Sequence, residues 1–226
     1  MTNGLIYILQ TFGTLALVLV CFRLGRAWLM GYMAMASVMM NLVVVKQMSL
    51  FGLDATGGNV LYASLFLATD LLSEHWGPRQ ARRAVHIGLM GGLFFLVTIQ
   101  VMLLYRPNDF DLAQPHLAGL FQFLPRIVLG SLAAYFTAQH LDVWLFDRIR
   151  RLTGDRHLWL RNNGSTWISQ AVDTVVFYSI AFWGVFPIAE AILFTWILKI
   201  IVAALDTPFF YLARRIKPTE LQNSSS

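Results

Sequence analysis

Charge is scarce in this chain. Asp, Glu, Lys and Arg make up 13% of its 226 residues, about half the share usual in a soluble domain, which excludes a water-facing surface over most of its length. Cysteine is nearly absent. Cys21 alone ends an apolar run, so no intrachain disulfide forms and the redox compartment cannot be read. No G-x-S-x-G, H-E-x-x-H or P-loop pattern occurs, which argues against the hydrolase, zinc-protease and NTPase chemistries those patterns carry. His75, His86, His116, His140 and His157 have no ligand spacing, so neither a metal nor another cofactor is expected. What fills the chain instead is apolar: 57% hydrophobic residues and a mean hydropathy of +0.60. The composition predicts an integral membrane protein, and the length predicts one domain over 1–226. The net charge of +5 does not indicate a nucleic-acid partner, because the basic residues lie in short runs between apolar segments.

A helix needs about 20 apolar residues to cross the hydrocarbon core. Seven segments qualify, 4–22, 28–50, 59–75, 85–105, 118–146, 165–186 and 189–212, giving an all-α, multi-pass helix bundle. The first could pass for a signal peptide, but its positive charges, Arg23 and Arg26, follow the apolar run rather than precede it; a retained helix is expected. The polar end, 218–226, reads as a disordered tail. Thirteen basic residues, from Arg23 to Lys217, fall in connections on one side, against Arg106 alone on the other. The positive-inside rule then places the N-terminus outside and the C-terminus in the cytoplasm. Thr69-Asp70 and Asp173-Thr174 sit in the middle helices of two three-span sets, too little shared sequence to establish an inverted repeat.

Asp70, Arg126, Asp173, Lys199 and Asp206 nevertheless fall inside these spans, with Lys46 near the outer end of the second. A charge at a helix centre costs about 2.5–3.5 kcal/mol on insertion scales, so these side chains are expected to face each other or a polar cavity. Helical spacing agrees. Thr166, Ser169/Gln170, Asp173 and Phe177 form one stripe; Lys199, Ala203 and Asp206 form another; Gln122, Arg126, Gly130, Ala133, Thr137 and His140 form a third. The alternative is that these pairs only fix helix register. Glu74 and Asp142, near the inner ends, are expected to cap helices or pair with arginines, and Lys46 to snorkel. Asp173 and Asp206 suggest an aspartyl protease, but no nearby glycine would admit a peptide; Lys199 in the last span suggests a retinal, but that would also want an acidic counter-ion set and an aromatic box, and the nearby Phe194 and Trp196 are of a kind common in any span.

With these residues placed, the chain resembles the queuosine-precursor transporter family, also called vitamin uptake transporters. The resemblance covers about residues 35–215. It rests on F-L-A-T-D at 66–70 with Glu74, Gly77 and A-R-R at 81–83, and on Asn41 and Lys46 upstream. Downstream it rests on P-R-I at 125–127, Q-H-L-D-V at 139–143, F-D-R-I-R-R at 146–151, N-G-S-T-W-I-S-Q-A-V-D-T at 163–174, I-A-F-W-G at 180–184, Lys199 and L-D-T-P at 205–208. It implies a six-helix core over about 28–215, with residues 4–22 as one extra helix. It also implies import of 7-deazaguanines such as 7-cyano-7-deazaguanine or its aminomethyl relative, which become queuosine in tRNA, across a bacterial inner membrane.

The residues suit such a ligand. A guanine-like edge offers N1–H and a 2-amino group that a carboxylate can accept together, and its rings stack on an aromatic face. Asp173 is the expected acceptor, with Gln170, Asn163 and Asn41 as polar contacts and Phe177 or Trp167 stacking. Lys199 and Arg126 would keep the carboxylates ionised and reach O6. Asp70 is expected to accept from the ligand or to pair with Lys199 or Arg126. Asp206, Glu74 and Lys46 are candidates for ion pairing or coupling. The sequence leaves open uniport, proton coupling through Asp70 or Asp206, or service by an external ATPase module, and does not fix the oligomeric state.

Overall fold

The structure is a computed structural model that describes residues 2–43, 46–50, 53–57, 59–121, 125–154, 157–184, 188–204, 207–216 and 218–220. In chain order its elements are α1 (Asn3–Leu24), α2 (Arg26–Val43), β1 (Gln47–Leu50), β2 (Leu53–Thr56), α3 (Asn59–Trp76), α4 (Pro78–Met102), α5 (Gln114–Phe121), α6 (Pro125–Thr153), α7 (Leu158–Phe182), α8 (Ile188–Ala204) and α9 (Thr207–Ala213). The architecture is helical, as expected from the apolar runs, with one departure. The span expected over 28–50 ends as a helix at Val43, and residues 47–50 pair antiparallel with 53–56, Gln47 opposite Thr56. The Gly57 N–H closes this hairpin on the Lys46 carbonyl at 2.9 Å. The β-branched, glycine-bearing stretch V-V-V-K…F-G…T-G-G favours a short ribbon over further helix. Within the segment expected over 118–146 the described residues form α5 and α6, and within that over 189–212 they form α8 and α9.

Glycine makes the sharp joints. Gly25 at φ 125° separates α1 from α2, and Gly77 at φ 85° separates α3 from α4. Residues with side chains rarely adopt that region, and Pro78 then opens α4 at a position where its missing N–H costs nothing. The segment expected to be a disordered tail begins in order: Pro218 is buried and the Thr219 hydroxyl donates to the Arg23 carbonyl at 3.0 Å. Residues 221–226 lie outside the described residues.

α3 lies at the centre, buried continuously from Ala63 to Ser73, and packs against α1, α2, α4, α6, α8 and α9. α6 and α7 form the most extensive helix pair. Outside, the bundle is apolar: Leu9, Phe12, Met35, Met90, Phe94, Val97, Leu193, Phe194 and Ile201 are all exposed. Inside, it is mixed, with Ser37, Asn41, Asp70, Gln139, Asp142, Asn163, Ser169 and Asp173 buried. A soluble protein does not expose apolar residues on that scale, whereas lipid solvates them. Among the described residues, Asn3–Leu24 and Pro78–Met102 are long and apolar enough to cross a bilayer on length and composition; the polar interior lowers the apolar content of the rest.

Small residues let α4 approach its neighbours. A methyl group added at Gly88 would collide with the Tyr135 hydroxyl, and one at Gly92 would stand 2.9 Å from Leu132 Cδ2 and 3.2 Å from both Asn41 Nδ2 and Ser37 Oγ. Tyr135 is fully buried and has little room to retreat. Gly88→Ala is therefore expected to destabilise the bundle by about 1–3 kcal/mol, read as a lowered unfolding midpoint. Adding Tyr135→Phe, which removes the obstructing oxygen, is expected to return part of that loss; an unchanged midpoint in the single variant would contradict this packing.

Candidate functional site

The helix-period stripe on α7 is buried. Arg161, Asn162, Asn163, Ser165, Thr166, Ser169, Gln170, Asp173 and Thr174 are all withdrawn from the surface, because α6 covers one side of the helix and α8 another. At the level of Asp173, the Lys199 ammonium on α8 donates to Asp173 Oδ2. The pair is almost wholly buried, with side-chain exposures of 6% and 1%. Each sign answers the other, which is how charges persist in an apolar bundle. Asp173 Oδ1 and Gln170 Oε1, one turn apart on α7, are buried acceptors with no hydrogen-bond donor among the described residues.

Aromatic groups flank this point. Trp167, one turn before Gln170, stands edge-on to Trp159 at 5.8 Å, and its carbonyl accepts from Trp196 Nε1 on α8 at 3.0 Å. Trp167 Nε1 is itself buried with no acceptor among the described residues. Phe177, one turn after Asp173, is half-buried and edge-on to Tyr178 and Phe182 at 5.5 and 5.7 Å. Asn163 lies two turns towards the start of α7, where its Nδ2 donates to the Thr207 hydroxyl of α9 at 2.7 Å.

Asp70 sits in the buried stretch of α3. Its carboxyl on α3 faces the Asp142 carboxyl of α6, and the two are 1% and 0% exposed. Asp142 Oδ1 accepts from the Ser169 hydroxyl at 3.0 Å and lies 3.5 Å from the Thr166 hydroxyl. Asp142 was expected near the inner interface; it belongs instead to the interior. The reason is the phase of α6. Its buried face runs through Ser131, Tyr135, Gln139, Asp142 and Phe146, rather than through the expected Arg126, Ala133, Thr137 and His140. Thr137 is exposed and satisfies itself on the Ala133 carbonyl, and His140 does so on the Phe136 carbonyl at 2.8 Å. Gln139 is buried with both amide atoms unpartnered among the described residues.

Arg126 is exposed at the start of α6. Its Nε and Nη2 donate to the Ile180 and Trp183 carbonyls, at 2.5 and 2.7 Å, closing the end of α7, where helix carbonyls lack partners. It is tied to these carbonyls rather than to a carboxylate. Asn41 is buried in a separate polar group with Ser37, against Gly92 of α4; its Nδ2 donates to the Ser37 carbonyl at 3.0 Å. Lys46 is exposed at the root of the hairpin. Asp206 and Gln122 lie outside the described residues.

Glu74 is the meeting point of four helices. Arg161 of α7 donates to its Oε1, Arg214 beyond α9 reaches the same oxygen at 3.2 Å, and Arg150 of α6 stands 3.8 Å from Oε2. Arg161 had been counted among loop charges; it is fully buried, with its guanidinium 5.7 Å from the centre of the Phe146 ring. The pairing of Glu74 with arginines was legible, but the burial of Arg161 was not: nothing local distinguishes it from its solvated neighbours.

Residues 56–213 match the family described as putative vitamin uptake transporter. A probable queuosine precursor transporter of Bacillus subtilis (strain 168) is 41% identical over 204 residues, covering 88% of this chain and 89% of that one. The queuosine precursor transporter of Escherichia coli (strain K12) is 31% identical over 156 residues, 69% of this chain and 68% of its own. A probable queuosine precursor transporter of Haemophilus influenzae (strain ATCC 51907 / DSM 11121 / KW20 / Rd) is 32% identical over 133 residues, 59% and 54%. No solved structure matches. The buried charges and apolar exterior thus belong to a membrane transporter rather than an enzyme, and the chain is a member of the vitamin uptake transporter family.

Proposed function

We propose that the protein imports a 7-deazaguanine precursor of queuosine, 7-cyano-7-deazaguanine or 7-aminomethyl-7-deazaguanine, across the bacterial cytoplasmic membrane. The observation that carries this is the pair of buried acceptors on α7, Asp173 Oδ1 and Gln170 Oε1, for which no donor is found among the described residues. An unmet buried acceptor costs about 1–3 kcal/mol. A guanine edge supplies two adjacent N–H donors in one plane, fitting acceptors one helical turn apart. Lys199 donates to the other oxygen of Asp173, Trp167 Nε1 offers a donor, and Trp167 or Phe177 supplies an aromatic face.

In this reading α1, α2, α3, α4, α6, α7 and α8 cross the membrane, with the N-terminus outside. The arginine-bearing helix ends support that sidedness. Glu74 gathers the ends of α3, α6, α7 and α9, and a groove lined by Arg82, Arg148 and Arg151 beside Trp144 lies at the same level on α4 and α6. Clustered arginines with an interfacial tryptophan mark a cytoplasmic membrane surface.

Thermal unfolding of the purified protein in detergent tests the substrate class. At a hundredfold excess over the dissociation constant a ligand stabilises by about 2.7 kcal/mol. 7-Cyano-7-deazaguanine or its aminomethyl relative is expected to raise the midpoint, with guanine and common vitamins giving less. Absence of a shift with both deazaguanines, in a protein that still unfolds cooperatively, would overturn the proposal.

A further inference from the structure

The groove at the arginine-bearing end takes no part in the ligand site just described. Trp144, Asp147, Arg148 and Arg151 share one face of α6, at spacings of three and four residues. Arg82 of α4 supplies the other wall, and the space between is about 400 Å³, within the range of small-molecule sites. Three guanidiniums meet one carboxylate there. Asp147 Oδ2 is taken by Arg151 at 2.7 Å, which leaves the groove with positive charge in excess. Arg82 and Arg148 have no ion-pair partner among the described residues. Beyond the groove the seam between the two helices turns apolar. His86, one turn after Arg82, meets His140, one turn before Trp144, at 3.3 Å, and the Phe136 ring lies 6.1 Å from that of His86. Met90, Phe136 and Trp144 are all exposed, on an exterior that lipid covers.

We propose that this groove binds the phosphodiester headgroup of an anionic phospholipid, whose acyl chains lie along the α4–α6 seam. Arg82 and Arg148 clamp the phosphate from two helices, since a guanidinium fork matches two phosphate oxygens. Trp144 lies at headgroup depth, where amphipathic rings are favoured. Basic pockets between transmembrane helices seat such headgroups. A soluble phosphate gains the charge contact alone, whereas a lipid adds the apolar one and is supplied by the bilayer at high local concentration. The bound lipid cancels the repulsion between the arginines of α4 and α6 and ties the two helices together, so it stabilises the folded bundle. The site is independent of the transported substrate: it requires only that the arginine-bearing end lie at a headgroup layer.

Delipidated protein in a non-ionic detergent, titrated with phosphatidylglycerol while thermal unfolding is followed, gives the test. Phosphatidylglycerol is expected to raise the midpoint saturably; phosphatidylcholine, with the same chains and no net charge, is expected to leave it unchanged. Arg82→Gln/Arg148→Gln is expected to weaken lipid binding about 25-fold, about fivefold for each arginine withdrawn from the anionic headgroup. Both side chains are exposed and without an ion pair among the described residues, so the lipid-free midpoint of this variant is expected to match the wild type. Arg79→Gln/Arg83→Gln removes the same charge from exposed positions of α4 outside the groove and is expected to bind the lipid as the wild type does. Equal weakening in both double variants would reduce the effect to general surface charge and overturn the site. So would the absence of any rise with phosphatidylglycerol. An equal rise with glycerol 3-phosphate, which carries the phosphate without the chains, would make the groove a soluble-anion site and overturn the lipid assignment. No substrate is present in this experiment, so its outcome is separate from that of the deazaguanine reading.

Discussion

Asp173→Asn is expected to lower affinity for 7-cyano-7-deazaguanine by about 10–10²-fold, the loss of one hydrogen bond to a charged acceptor at about 1.5–3 kcal/mol. The substitution preserves size but leaves one acceptor where two were available, and turns an NH₂ group towards either the ligand or Lys199. It also has a structural cost, since Lys199 donates to the other oxygen of the same carboxylate. Removing one member of a buried ion pair typically costs about 3–5 kcal/mol, so a lower unfolding midpoint accompanies the lost binding. The two effects separate in Asp173→Leu/Lys199→Met. Replacing a buried pair with apolar residues of similar volume is often neutral for stability, so this double variant is expected to unfold near the wild-type midpoint and still show no ligand shift. If the pair served only to fix the register of α7 against α8, the double variant would bind as the wild type does. Thermal titration of the three proteins with the same ligand distinguishes these outcomes.

The outcome for α7 was legible because its polar residues recur every three or four positions and have no other means of satisfaction in lipid; Gln170 and Asp173 could be placed on one face by spacing alone. The phase of α6 was not legible for the converse reason. That helix carries polar groups on two faces, and spacing cannot tell which set is satisfied locally. Thr137 and His140 bond to carbonyls one turn back and can face outward, whereas Gln139 and Asp142 depend on the interior. Arg126 was misjudged for a related reason: it falls inside the apolar segment, but it is the second residue of α6, within reach of the end of α7. Asp142 and Arg161 were assigned to the interface from their distance to the predicted span ends. Both α6 and α7 extend beyond those limits, Pro125–Thr153 and Leu158–Phe182, so positions counted as interfacial are enclosed by neighbouring helices. The family motifs carried information that spacing did not, since Q-H-L-D-V at 139–143 contains both interior residues, Gln139 and Asp142.

Glu74→Ala is expected to be among the most destabilising single substitutions in the chain, with a loss of about 3–5 kcal/mol and a correspondingly lower unfolding midpoint. Its three arginine partners do not contribute equally. Arg161 is fully withdrawn from the surface, while the Arg150 and Arg214 side chains are 34% and 40% exposed. Water and salt screen the latter two, and each such pair is worth about 0–1 kcal/mol. Arg214→Ala is thus expected to change the midpoint slightly and more at low salt than at high, since screening weakens exposed pairs. Arg161 has no such recourse. Without Glu74 its guanidinium keeps the Phe146 face, worth about 2 kcal/mol when desolvated, but Nε and Nη1 already find no acceptor among the described residues. Removing the charge together with its partner should therefore relieve much of the loss: Glu74→Gln/Arg161→Met is expected to be more stable than Glu74→Gln alone. A Glu74→Ala protein as stable as the wild type, at low and high salt alike, would show that the four helix ends are held by apolar packing and that this junction contributes nothing. The expected salt-insensitive loss would identify Arg161–Glu74 as the contact that closes the arginine-bearing end of the bundle.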